Sequence, residues 1–224
     1  YSRRHAPDAA AAYLAALDTE LARHVHAHGR LTPRTLYLGG GTPTSLTTQE
    51  LRHLMTLLRR HCDLAALREW TVEANPGTVT RPKLNILEQA GVTRLSLGAQ
   101  AMSDPVLQYI GRRHTHADIL RAVEQTRAAS RLRVGLDLIA CLPGVTAKAW
   151  AATLAAAVAL EPDHLSAYTL SLEPDSPLAR RLHQERRTPA TPEQEVRTLR
   201  QTARVLARAG YRRYEISNYA RPGR

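Results

Sequence analysis

The sequence predicts an α/β fold, a parallel sheet covered by helices in the manner of an α/β barrel. Three observations carry that prediction. Short β-branched, aromatic or leucine-rich runs alternate with longer stretches of helical spacing. Two helix-start signatures, Thr47 with Glu50 and Thr191 with Gln194, stand ahead of two of those stretches. Polar residues follow successive predicted strands at their carboxyl ends, the rim on which α/β barrels build their sites.

Along the chain, Leu14, Leu17, Leu21 and Val25 make one helical stripe that opens near Asp8 and closes near Gly29. A strand at 35–38 runs into Gly39, Gly40, Gly41 and Thr42. Thr47 then opens a helix carrying Leu51, Leu54, Leu57 and Leu58. A strand at 70–72 leads to Glu73 and Asn75, and one at 94–97 to Gly98 and Gln100. The run at 134–138 encloses the charge of Asp137, and the run at 165–170 carries Tyr168 and Thr169. The helix opened by Thr191 and Pro192 presents Val196, Leu199, Ala203 and Leu206. A last strand is expected at 214–216, leading through Glu215 and Ser217 to Asn218. No linker rich in serine, glycine or proline divides the chain, and no repeat is evident. "ERRTPATPEQE" is a loop inside the last βα unit, so one domain over 1–224 is expected.

The chain of 224 residues carries a formal charge of +11. A nucleic-acid surface clusters its basic residues on one face. Here arginine is scattered through an alanine- and leucine-rich chain and only Lys83 and Lys148 are lysine, so no nucleic-acid partner is expected. Cys62 and Cys141 are far apart and form no CxxC unit, which excludes a disulfide scaffold and fits a reducing cytoplasm. No apolar run approaches the length that spans a bilayer. The chain starts at Tyr1 and stops after "ARPGR", and is expected to be cut at one or both ends from something longer.

Each polar rim residue has a structural and a functional reading. Glycines after a strand make tight turns, or bare a backbone that a ligand approaches. "GGGTPT" fits neither a P-loop nor GxGxxG. Glu73 could cap a helix or meet an arginine, or accept from an ammonium. Asp137 could be a buried carboxylate satisfied by amides, or accept from ribose hydroxyls. Arg112, twelve residues after Gln100, could fork onto a carboxylate. Taken together, the rim suits a ligand bearing both an ammonium and a carboxylate. His24 and His28 stand at i and i+4, as a metal pair or, more simply, a solvated helix end. "RRHTH", 112–116, reads as loop and helix entry beyond Arg112, and "RRLHQERR", 180–187, as a solvated face.

Six segments, in order, resemble a known family: "LYLGGGTPTSL", "TVEANPGTV", "GVTRLSLGAQ", "GLDLIACLPG", "LSAYTLSLEPDSPLARR" and "YRRYEISNYARPG". They are similar to radical S-adenosylmethionine proteins related to oxygen-independent coproporphyrinogen III oxidase. "EANPGT" and "YEISNYARPG" look most like the heme-chaperone branch, HemW. The resemblance implies a partial TIM-like (β/α)6 radical SAM barrel, without its first strand and its cluster loop. It implies that Gly40, Gly41 and Thr42 receive the methionine amino group of S-adenosylmethionine. It further implies that Glu73, Gln100 and Arg112 contact that cofactor, that Asp137 meets the ribose and that the Ile139 backbone lies by the adenine.

The family's 4Fe-4S cluster uses C-x3-C-x2-C cysteines, expected upstream of Tyr1. This chain alone is therefore expected to perform no radical chemistry and to bind S-adenosylmethionine weakly. Heme or porphyrin, an electron donor protein and a heme-receiving protein are the partners implied for the full-length protein. Its implied function is heme delivery; the alternative is coproporphyrinogen III oxidation in porphyrin biosynthesis. Cys141 stands where the resembling sequences carry glycine, and is expected to be a small buried residue.

Overall fold

The leucine stripe of the first helix, the capping signatures and all but the last of the strand runs take form in the computed structural model, which describes residues 6–223. Helix α1, Pro7–His28, ends on Gly29, whose φ of 80° needs a residue without Cβ. Strand β1, Thr35–Leu38, and a 3₁₀ turn at Pro43–Ser45 lead to α2, Thr48–His61. Strand β2, Glu69–Ala74, a 3₁₀ turn at Pro76–Thr78 and α3, Arg81–Ala90, follow. Then come β3, Arg94–Gln100, α4, Asp104–Tyr109, and α5, His116–Ala129. Strand β4, Arg133–Ala140, α6, Ala147–Ala159, and β5, His164–Thr169, continue the alternation. Helices α7, Pro177–Gln184, and α8, Pro192–Arg208, precede two short strands, β6, Arg212–Arg213, and β7, Asn218–Ala220.

The strands are ordered β1-β2-β3-β4-β5-β7-β6 in one sheet. β1 and β2 are parallel, with Leu38 opposite Val72; β4 and β5 are parallel, with Asp137 opposite Ser166 and Ile139 opposite Tyr168. The capping boxes form as read. Thr47 Oγ1 accepts from the Glu50 amide at 3.2 Å while Glu50 Oε2 accepts from the Thr47 amide at 2.7 Å. Thr191 and Gln194 repeat the exchange at 3.3 and 2.8 Å. Each cap contributes about 1 kcal/mol.

Among the described residues, those up to Ser96 together with Glu124–Arg133 form one compact unit. Its core is Leu51, Leu57, Trp70, Val72, Leu84, Leu87 and Leu95, all but inaccessible to solvent. Leu97–Val123 and the residues from Val134 onward form the other unit. There Leu97, Leu107, Ile119, Leu136, Leu138, Leu154 and Leu206 are buried. Within it, Trp150 Nε1 donates to Thr202 Oγ1 at 2.9 Å, tying α6 to α8.

The expected last strand at 214–216 is not there. Those residues form the loop between β6 and β7, which pair antiparallel, and β7 lies antiparallel to β5. Ile216 is 74% exposed. The reason is local: Glu215 Oε2 accepts from the Ser217 amide at 3.0 Å and from Asn218 Nδ2 at 2.9 Å. A side chain that claims nearby backbone donors competes with a strand ladder.

Candidate functional site

In the first unit, β1 and β2 carry their next-to-last side chains, Tyr37 and Glu73, onto the glycine run. Glu73 Oε1 accepts from the Tyr37 hydroxyl at 2.7 Å, and Glu73 Oε2 accepts from the Gly40 amide at 3.2 Å. Two of the three glycines have a reason within the protein, and the reasons differ. A Cβ at Gly39 would lie 2.5 Å from Tyr37 Cε1 and 2.7 Å from Glu73 Cδ, so both side chains would have to move from these positions. Gly40 has φ of 84°, a conformation costly to other residues. Gly41 differs: a Cβ there would meet no protein atom within 4 Å, and its φ is not in the left-handed region.

The loop beyond is locked. The Thr42 carbonyl accepts from the Ser45 amide at 2.8 Å and from its hydroxyl at 2.6 Å. The Thr44 and Thr78 hydroxyls lie 2.6 Å apart, joining the two 3₁₀ turns. Lys83 Nζ donates to the Thr44 carbonyl at 2.6 Å, and burial pushes its pKa down. Asn75 Oδ1 accepts from the Gly77 amide at 3.1 Å, closing the "PG" turn behind Glu73. Sequence reasoning missed Thr44, Thr78 and Lys83; the one available signal was a lysine in an arginine-rich chain with only one other.

In the second unit the centre is Tyr168, noted on the sequence as a polar residue of its strand but given no role. Its hydroxyl donates to Gln100 Oε1 at 3.0 Å. Gln100 ends β3 with φ of 66° and is only 6% exposed. Arg112 is half-buried; burial pushes its pKa down, and Tyr168 nearby opposes the shift. The guanidinium nevertheless stays charged. Asp137 and Ile139 share a face of β4, since strand side chains alternate, and their partners Ser166 and Tyr168 share the matching face of β5. Gln100, Arg112 and Ile139 thus gather around Tyr168, with Asp137 one pleat further along.

His114, read only as part of a loop, is 4% exposed, and its Nε2 lies 3.2 Å from the Ala99 carbonyl. Burial, then Arg112, push its pKa down, with the Ala99 hydrogen bond opposing.

Cys141 departs from expectation. It is half-buried with φ of 60°, the left-handed region that favours glycine, at the lip of a cavity of about 430 Å3 lined by Thr146, Gln194 and Thr198. Burial raises its thiol pKa, and the Thr198 side chain opposes the shift. Cys62 is buried at the end of α2, and its carbonyl accepts from Arg30 Nη2 at 3.1 Å. His24 and His28 stack with ring centroids 4.6 Å apart on an exposed helix face. Among the described residues no three His, Cys, Asp or Glu side chains group to hold a metal.

The profile of the Radical SAM superfamily matches residues 16–157. The heme chaperone HemW of Bacillus subtilis is 35% identical over 212 residues, spanning 94% of this chain and 56% of the relative. That of Lactococcus lactis is 34% identical over 190 residues, 85% of this chain and 50% of the relative. The chain therefore spans about half the length of the curated relatives it matches. Among solved structures, the coproporphyrinogen III oxidase HemN from Escherichia coli superposes with a TM-score of 0.81 at 29% identity, over 96% of this chain and 49% of that one. With more than half of its residues under the superfamily profile and its α/β fold shared with HemN, the chain belongs to the radical SAM superfamily.

Proposed function

We propose that this chain is the S-adenosylmethionine-binding core of a heme chaperone of the HemW kind. One observation carries the cofactor assignment. Glu73 is drawn against bare backbone at Gly39 and Gly40, beside a Gly41 whose missing side chain no protein neighbour requires. That is a cradle a Cβ would fill.

The residues fit the cofactor's polar groups. Carbonyls of the glycine run and the Glu73 carboxylate accept from the methionine ammonium, and Thr42 holds the end of that run. The half-buried Arg112 matches the carboxylate as a bidentate fork. Asp137 accepts from the ribose hydroxyls, Gln100 offers its amide, and the Ile139 backbone borders the adenine. When bound, S-adenosylmethionine supplies an activated sulfonium; the chain's own residues orient it.

The described residues do not fit a four-iron–four-sulfur cluster. Such clusters need several cysteine thiolates. Cys62 and Cys141 both have thiols raised by burial, and neither belongs to a metal-holding group among the described residues. No step proposed for this chain runs through a cluster.

Heme delivery is supported by relatives named heme chaperone, at 34–35% identity over most of the chain. The fold shared with a coproporphyrinogen III oxidase supports a second reading, oxidation of that porphyrinogen. We place the protein in the cytoplasm, with heme, an electron donor and a heme-receiving protein as partners. No helix among the described residues is long and apolar enough to cross a membrane, and both thiols are free. The test uses the complete open reading frame, purified anaerobically and offered heme, an apo-hemoprotein, S-adenosylmethionine and coproporphyrinogen III. Heme transfer without porphyrinogen turnover is expected; sustained turnover would replace the chaperone reading with the enzyme one.

A further inference from the structure

Beyond the residues assigned to the cofactor, we propose that His114 is a positioning residue for Gln100. Its ring donates from Nε2 to the Ala99 carbonyl and so holds the turn that swings Gln100 out of line with β3. The assignment rests on the reading that Gln100 contacts S-adenosylmethionine, and its own geometry lies wholly within the second unit.

The Ala101 amide donates to the Ala99 carbonyl at 2.8 Å, an i→i+2 bond around Gln100 with its φ of 66°. That is a γ-turn of the positive-φ form, rare and strained. Strained backbone at a residue other than glycine persists where its surroundings over-determine it. The second determinant is His114: its Nε2 lies 3.2 Å from the same carbonyl oxygen. A carbonyl only accepts, so the ring nitrogen is the donor and the neutral ring is the Nε2–H tautomer.

Nδ1 then bears a lone pair, and it has no partner among the described residues while His114 is 4% exposed. An unsatisfied buried acceptor is costly. An apolar side chain would fill the space without that cost, so what the imidazole contributes here is its Nε2–H. Burial and Arg112 disfavour the charged ring, with the Ala99 hydrogen bond and Asp118 opposing; in either state it is Nε2 that carries the proton the carbonyl accepts.

The turn decides what Gln100 can offer. With Oε1 accepting from Tyr168 at 3.0 Å, the amide presents its N–H pair to a ligand acceptor. His114 also lies two residues beyond Arg112, where exposure alternates half-buried, exposed, buried at 112, 113 and 114, as in an extended segment. The segment bearing the proposed carboxylate-binding arginine is therefore pinned to the strand end bearing Gln100. One hydrogen bond orders both.

The experiment compares the wild-type chain with His114→Leu, which removes the donor, and His114→Gln, which returns an N–H at the same reach. Three readouts are taken: the 15N tautomer of His114, hydrogen exchange of the Ala101 amide against that of Leu97, and the Kd for S-adenosylhomocysteine from chemical-shift titration. The expected results are an Nε2–H tautomer and Ala101 exchange about tenfold faster in His114→Leu. Kd in that variant weakens about tenfold, the loss of roughly one hydrogen bond, and His114→Gln recovers both effects. An Nδ1–H tautomer in the wild type overturns the proposal even if His114→Leu fails to fold. So does unchanged Ala101 exchange in folded His114→Leu. A wild type that binds no S-adenosylhomocysteine removes the cofactor reading instead, and the tautomer and exchange measurements still decide the turn.

Discussion

The Tyr37 hydroxyl and Glu73 Oε1 lie 2.7 Å apart, joining the next-to-last residues of two parallel strands over a glycine that leaves them room. The bond fixes the carboxylate while Oε2 takes the Gly40 amide. Tyr37 is itself largely exposed, so the pair sits at the protein surface, where water would otherwise solvate the carboxylate. A structural ion-pair role would bring an arginine to Glu73. The partners observed are a hydroxyl and a backbone amide, which leave its negative charge uncompensated by these contacts.

Gly39→Ala and Gly41→Ala separate packing from ligand approach. At Gly39 the added Cβ meets Tyr37 and Glu73 side chains, both able to swing toward solvent. The variant is expected to fold with a loss of about 1 kcal/mol, as its neighbours shift, and to lose cofactor affinity because Glu73 is displaced. At Gly41 the Cβ meets nothing. Urea unfolding should find that variant within about 0.5 kcal/mol of wild type, while a ligand seated on that backbone binds about tenfold more weakly. Unchanged affinity in Gly41→Ala would move the ligand off this segment.

Lys83→Met keeps the aliphatic stem and removes the ammonium that donates to the Thr44 carbonyl at 2.6 Å and lies 3.5 Å from that of Thr78. A carbonyl left without its charged donor costs about 1–3 kcal/mol. Thermal unfolding should show that loss. Amide exchange should rise first in the turns at Pro43–Ser45 and Pro76–Thr78. Faster exchange spread evenly over the unit would instead mark Lys83 as a general packing residue.

Asp118 gives an acid-dependent term. Its carboxylate accepts from the Thr115 amide at 2.7 Å and hydroxyl at 2.8 Å, bonds that lower its pKa below the usual 3.8. A depressed carboxylate pKa means the unfolded chain takes up the proton first, so the stabilisation is complete above about pH 4 and fades as pH falls through the lower folded value. Denaturant unfolding of wild type and Asp118→Asn at pH 6 and pH 3 should show a stability gap at the first that narrows at the second. A gap that widens toward acid would reverse the assignment. The cap opens α5, directly after the Arg112–His114 segment, so weakening it should also loosen that segment.

What could be read from residues was what is local. The boxes at Thr47 and Thr191 need three residues to declare themselves, and the stripe from Leu14 to Val25 needs one helix. The strands bearing Glu73, Gln100 and Asp137 each continue two or three residues past the strand-forming run that marks them, because the sheet goes on pairing through residues whose types do not announce a strand. The failures are tertiary or conformational. Tyr214, Glu215 and Ile216 have strand-like neighbours, yet the Glu215 carboxylate binds the amides that a ladder needs. The left-handed backbone of Gln100 and Cys141 follows from what surrounds them, and neither residue type announces it. "GGG" in the sequence is three equal letters; only the positions of Tyr37 and Glu73 distinguish Gly39, where a Cβ would push both side chains aside, from Gly41, where it would meet nothing.

The central claim, that these residues receive S-adenosylmethionine, is tested most directly by titrating the 15N-labelled chain with S-adenosylhomocysteine and following each amide. The described residues offer no cluster to anchor the methionine end, so weak binding is predicted, with Kd on the order of 0.1–1 mM, or about −4 to −5.5 kcal/mol. The amides of Gly40, Gly41, Thr42, Gln100, Asp137 and Ile139 should shift together along one binding curve, and Glu73→Gln or Asp137→Asn should move that curve to higher ligand concentration. Shifts confined to other residues, or none at ligand concentrations of several millimolar, would contradict it.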